Sequence, residues 1–187
     1  MKTAEYLSVL VSIIVGLGMS QVLSGVANLL VDRRRVRFYW VWAVAVVMVF
    51  IANVQFWWGT FSVGEAVATN FFSFVFFLLT PIALYLSAVV LVPDFEGEGE
   101  IDLKRHFYAN RVLYFGFLGA VPLLSGTRSV IISGDPLLSP ERPFEALFVV
   151  LLASGALVAN ERWQKLLAVV APALFVTFII VAGLQPG

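Results

Sequence analysis

The chain has no cysteine among its 187 residues. Disulfides, thiolate metal sites and cysteine nucleophiles are therefore excluded together. Histidine occurs once, as His106, so a single chain cannot assemble a multi-histidine metal centre. Neither a metal nor another cofactor is expected. Charge is also scarce: 13% of residues are Asp, Glu, Lys or Arg, with 12 basic against 12 acidic, where a soluble domain carries about 25%. A neutral chain gives no reason to expect a nucleic-acid partner. The nucleotide-binding pattern Gly-x-x-x-x-Gly-Lys-Ser/Thr, the hydrolase pattern Gly-x-Ser-x-Gly and the zinc pattern His-Glu-x-x-His are all missing.

What fills the space is apolar. Hydrophobic residues make up 60% of the chain, its mean hydropathy is +0.94, and they come in long unbroken blocks. A spanning helix needs about 20 mostly apolar residues. A membrane β-barrel would show short alternating segments instead. The expected fold is all-α: a polytopic integral membrane bundle of six helices, forming one transmembrane domain over residues 1–187. The spans are expected at residues 6–31, 38–58, 68–92, 112–132, 144–159 and 166–184. The first run is too long for the apolar core of a signal peptide, about 7–15 residues, and reads as a retained helix.

Orientation follows from the basic residues. Arg33, Arg34, Arg35, Arg37, Lys104, Arg105, Arg111, Arg162 and Lys165 fall on one side, and Lys2, Arg128 and Arg142 on the other. Loops rich in Lys and Arg stay in the cytoplasm. Both termini are then expected outside, in a multi-pass protein of the bacterial inner membrane. The Arg33–Arg37 cluster sets topology and is also suited to anionic lipid headgroups. The acidic run Asp94–Asp102 is placed to meet that cluster across the same face, or to bind cations weakly. It lacks EF-hand spacing.

Within the first span, Ser8, Ser12, Gly16, Ser20, Ser24 and Asn28 recur every fourth residue. Residues four apart share a helix face, and small side chains let helices approach closely where lipid gives no hydrophobic reason to pair. This stripe predicts a packing seam, with the first helix at the centre of the bundle. The spans are expected to hold no ionisable side chain, which argues against a carboxylate-driven transporter. Ser20, Gln21, Asn53, Gln55, Trp57 and Thr80 are the polar or aromatic candidates for a ligand pocket or pathway, with interhelical bonding as the plainer account.

Asp102, His106 and Asn110 are four apart, and Arg111 lies beside them. An Asp–His pair is a base with its orienter, which makes Asp102, His106 and Arg111 weak catalytic candidates. A further regularity relates the halves of the chain. Residues 18–25 resemble residues 119–126, Asn53 and Asn160 each follow an Ala, and Pro81 and Pro172 each sit inside the third span of a half. Inverted repeats of this kind build many transporters, although the Asn-to-Pro spacings differ.

Three functions follow as expectations. The first is a small integral membrane protein acting through helix packing, as a homo-oligomer or with a membrane-protein partner. The second is a small transporter or channel with an uncharged polar pathway. The third is a membrane enzyme with its site at the cytoplasmic face.

Overall fold

The computed structural model describes residues 3–60, 71–95, 99–131 and 142–183. The loops expected around Gly64 and Asp135, and the acidic residues 96–98, lie outside them. Among the described residues the chain forms six helices: α1 (Thr3–Val31), α2 (Trp40–Gly59), α3 (Phe71–Leu91), α4 (Leu103–Ile131), α5 (Arg142–Leu157) and α6 (Glu161–Gly183). All but α5 are long and apolar enough to cross a membrane. At 16 residues, α5 is about 24 Å long, short of a hydrocarbon core of about 30 Å. The chain is a multi-pass helical membrane bundle.

The expected boundaries hold for α1, α2 and α3 and shift for α4. Nine residues placed in a polar loop, 103–111, are already helical. Asp102 explains the early start: its Oδ1 accepts the Arg105 amide at 2.9 Å, a side-chain cap on an otherwise orphaned donor. At 29 residues, α4 is about 43 Å long, longer than a hydrocarbon core of about 30 Å. Helix α6 likewise starts five residues early, where Asn160 Oδ1 accepts the Arg162 amide at 2.9 Å.

The middle of the bundle is α3 and α4, which pack along each other. Helix α1 lies outside α3, α5 lies outside α4, and α2 bridges α1, α3, α4 and α6. This corrects the expectation that α1 is central. Its inward face is Val11, Val15, Gly18, Val22, Gly25 and Leu29, all buried, whereas Gly16, Ser20, Ser24 and Asn28 are exposed. The inward residues alternate steps of four and three, the spacing of a bundle seam. Gly18 and Gly25 supply the close approach. A Cβ on Gly18 would lie 2.8 Å from Asn53 Oδ1, and one on Gly25 would lie 2.6 Å from Val92.

The arginine-rich loops join. Val36–Arg37 (β1) and Ile101–Asp102 (β2) form a two-residue parallel ladder, Val36 opposite Ile101 and Arg37 opposite Asp102. The Ile101 amide also donates to the Arg35 carbonyl at 2.8 Å. Arg37 reaches Asp102 at 3.5 Å and Glu100 at 4.0 Å, and Arg35 pairs with Asp32 at 2.8 Å. The acidic run and the basic cluster meet as their charges require. Arg33 and Arg34 point outward.

The halves do not pack alike. Helix α1 runs along α3, while α4 runs along α5. Asn53 lies inside α2, and Asn160 lies in the turn between α5 and α6.

Candidate functional site

Helices α2, α3, α4, α5 and α6 enclose a cavity of about 270 Å³ in the half of the bundle away from the arginine-rich loops. Its floor is Met48, Leu118 and Leu152, and its walls include Phe56, Phe77, Phe148, Phe175 and Phe178. Eleven helical steps lead from Met48 to Gly59 at the mouth, a depth of about 16 Å. The walls are locked by ring contacts: Phe56 with Phe77 at 5.5 Å between centroids, and Phe148 edge-on to Phe175 at 5.8 Å.

Polar groups gather toward the mouth, where Gln55, Thr60, Ser125, Arg128, Ser129 and Glu145 line the space. The Arg128 guanidinium stands over the Phe77 ring, 5.3 Å from its centroid, a favourable cation–π position. Arg142 ties α5 to the end of α4. It donates to Glu145 at 2.8 Å, to the Gly126 carbonyl at 2.9 Å and to Ser129 Oγ at 2.6 Å. A side chain at residue 126 would obstruct this, since a Cβ there would lie 2.7 Å from Glu145 Oε2.

Arg128 and Glu145 lie inside α4 and α5, and already within the expected spans 112–132 and 144–159, so the expectation that spans carry no ionisable group is wrong at these two positions. The physical reason is their position at helix ends. Arg128 is in the last turn of α4 and Glu145 in the first turn of α5, each matched to the helix dipole and near the water-facing end. Prolines add to the polarity of the walls. Pro122 lacks an amide hydrogen, so the Leu118 carbonyl loses its helical donor, as Pro81 does for Phe77. Leu118, Pro122 and Phe77 all line the cavity.

The pathway candidates do not converge. Gln55 alone among them lines the cavity. Asn53, two residues away and so on the opposite side of α2, is fully buried against Gly18 and donates to the Val49 carbonyl at 2.9 Å. Trp57 Nε1 donates to Ser12 Oγ at 3.2 Å, which ties α2 to α1. Thr80 is buried, Ser20 is exposed, and Gln21 is half-buried on α1. The catalytic candidates also separate. Asp102 faces Arg37 and its own helix start. His106 Nε2 lies 3.1 Å from the Val90 carbonyl, and its Nδ1 lies 3.3 Å from Asn110 Nδ2. This fits one neutral tautomer, with the proton on Nε2 and Nδ1 accepting. Trp42 Nε1 takes the neighbouring Leu91 carbonyl at 2.8 Å, so His106 and Trp42 together satisfy the end of α3. Arg111 donates to the Tyr108 carbonyl at 3.2 Å. Among the described residues no three His, Asp or Glu side chains gather as a metal would require.

Sequence reasoning missed Gln164, which is 1% exposed and donates to the Gly155 and Val158 carbonyls at 2.8 and 2.7 Å, closing the end of α5. It also missed the Arg128–Arg142–Glu145 group. The signal was available: Gly126, Arg128 and Glu145 flank a single predicted loop, and Arg142 lies in it. The chain matches no protein family, no curated protein and no solved structure.

Proposed function

We propose that the chain is a small membrane-embedded binding or transport protein whose working part is the five-helix cavity. The single observation behind this reading is the cavity itself: aromatic walls, an apolar floor and convergent polar groups at one end, the usual composition of a small-molecule site. The same proposal sets the arginine-rich end in the cytoplasm of a bacterial inner membrane, by the distribution of basic residues, and the cavity mouth on the opposite side. The absence of native cysteine makes a direct test available. Gln55→Cys and Ser125→Cys should react in intact membranes with a charged thiol reagent, while the buried Ser87→Cys should not. If all three stay equally inert, the cavity is closed and this reading is lost.

The exposed stripe of α1 favours a second reading, lateral self-association. Ser20, Ser24 and Asn28 put hydroxyl and amide groups on an otherwise apolar outer face, and small residues of this kind favour helix pairing in lipid. The proposed occupant is α1 of a second copy. Ser20→Cys and Ser24→Cys should form disulfide dimers in membranes under oxidation. Val150→Cys, which is well exposed on α5, should not. Monomers throughout would count against it.

A further inference from the structure

We propose that Arg33 and Arg34 form a seat for the phosphate headgroup of an anionic phospholipid, in the leaflet that meets this end of the bundle. The seat is separate from the cavity. The observation behind it is a division of labour within one basic cluster. Arg35 and Arg37 serve the fold. Arg35 pairs with Asp32 at 2.8 Å, and its carbonyl accepts the Ile101 amide at 2.8 Å. Arg37 reaches Asp102 at 3.5 Å and Glu100 at 4.0 Å. Arg33 and Arg34 are exposed, and neither side chain has a hydrogen bond or ion pair among the described residues. The network that neutralises their neighbours leaves these two out. The wider balance has the same sign. Nine basic side chains lie at this end, against seven acidic ones even when Glu96 and Glu98 are counted from the sequence.

The surroundings select a lipid over a diffusing anion. Leu30 and Val31 precede the pair, Phe38 and Trp40 follow it, and all four are exposed. Val31 is the last residue of α1, so the apolar span ends two residues before Arg33. Aromatic side chains such as Phe38 and Trp40 at a span end belong at headgroup level. The pair therefore stands at the depth of the lipid phosphates. A guanidinium stays charged at any physiological pH and offers five donors in a fork that matches phosphate oxygens. A soluble anion would satisfy the charge and leave Leu30, Val31 and Phe38 facing water. A phospholipid satisfies the charge with its headgroup and covers those side chains with its acyl chains.

The test is native mass spectrometry of the full chain in neutral detergent, titrated with dioleoyl phosphatidylglycerol or dioleoyl phosphatidylcholine. The two lipids share their tails, so any difference reports the headgroup. Phosphatidylglycerol should bind at least about fivefold more tightly, the factor that one basic residue contributes near an anionic surface. Arg33→Gln and Arg34→Gln together should bring it down to the phosphatidylcholine level and leave phosphatidylcholine unchanged. If that double variant does not fold, the two single variants keep the test, each losing part of the preference. Arg162→Gln removes an exposed charge at the same end but outside the pair, and should leave the preference nearly intact. Equal binding of the two lipids by the native chain would overturn the proposal. A loss in Arg162→Gln as large as that of the double variant would also overturn it, because the attraction would then belong to the whole face. Displacement of phosphatidylglycerol by inorganic phosphate at equal concentration would make this a site for a free anion and overturn the lipid assignment.

Discussion

Asn53 Oδ1 lies 2.8 Å from the point where a Cβ on residue 18 would sit, so the buried amide of α2 occupies the space that Gly18 leaves open on α1. Asn53 is fully buried and its Nδ2 donates to the Val49 carbonyl at 2.9 Å, which opposes its moving aside. Gly18→Ala should therefore force the helices apart and cost about 1–3 kcal/mol, the usual penalty of overpacking. Gly16, two residues earlier, has nothing within 4 Å of its Cβ position. Gly16→Ala should leave stability unchanged or slightly higher, since Ala is the better helix former. Thermal unfolding in micelles, followed by circular dichroism, distinguishes the two. Equal effects would mean that α1 does not pack as described.

The contact between α4 and α5 depends on a second close approach. A Cβ at residue 155 would come within 2.7 Å of the Phe115 ring. Gly155→Ala should destabilise by about 1–3 kcal/mol, and Phe115→Leu should recover part of that loss in the double variant. A double-variant cycle with no coupling would contradict this packing, because residues in contact are expected to couple.

Arg142 and Glu145 should behave as a unit. Each is mostly buried, with 18% and 21% of its side chain exposed. Arg142→Gln alone leaves the Glu145 carboxylate half-desolvated without its partner, for a loss of about 2–3 kcal/mol after allowing for partial solvation. Removing both charges, with Arg142→Gln and Glu145→Gln together, should be milder than the single change. Urea unfolding of the two variants in the same micelles checks the order.

At the arginine-rich end, Asp102 and His106 serve the fold separately. Asp102→Ala removes the cap on α4 and should cost about 1 kcal/mol, while Asp102→Asn keeps an acceptor and should cost less. His106→Ala leaves the Val90 carbonyl without its side-chain donor and should cost about 1–3 kcal/mol. If the two positions acted as a catalytic dyad, both variants would abolish a cellular phenotype without changing stability. The bonding pattern predicts the reverse.

The sequence by itself determined the class of object. Unbroken apolar blocks of spanning length, with no charged residue between Tyr6 and Val31 or between Phe71 and Val92, satisfy the backbone in lipid as helices and lack the alternation of a membrane barrel. The meeting of the Arg33–Arg37 and Asp94–Asp102 segments was legible too, because opposite charges on one face of the membrane attract. Which face of α1 turns inward was decided only by the tertiary structure. Its serines and its glycines are both small, and both stripes permit close approach; only the fit of Gly18 to Asn53 and Gly25 to Val92 selects one of them. The cavity is of the same kind. Gln55, Phe77, Arg128, Glu145 and Phe175 lie far apart along the chain, and no local periodicity relates them. They share a site because α2 packs against α3, α4 and α6 while α5 packs against α4 and α6, an arrangement set by side-chain shape over the whole bundle.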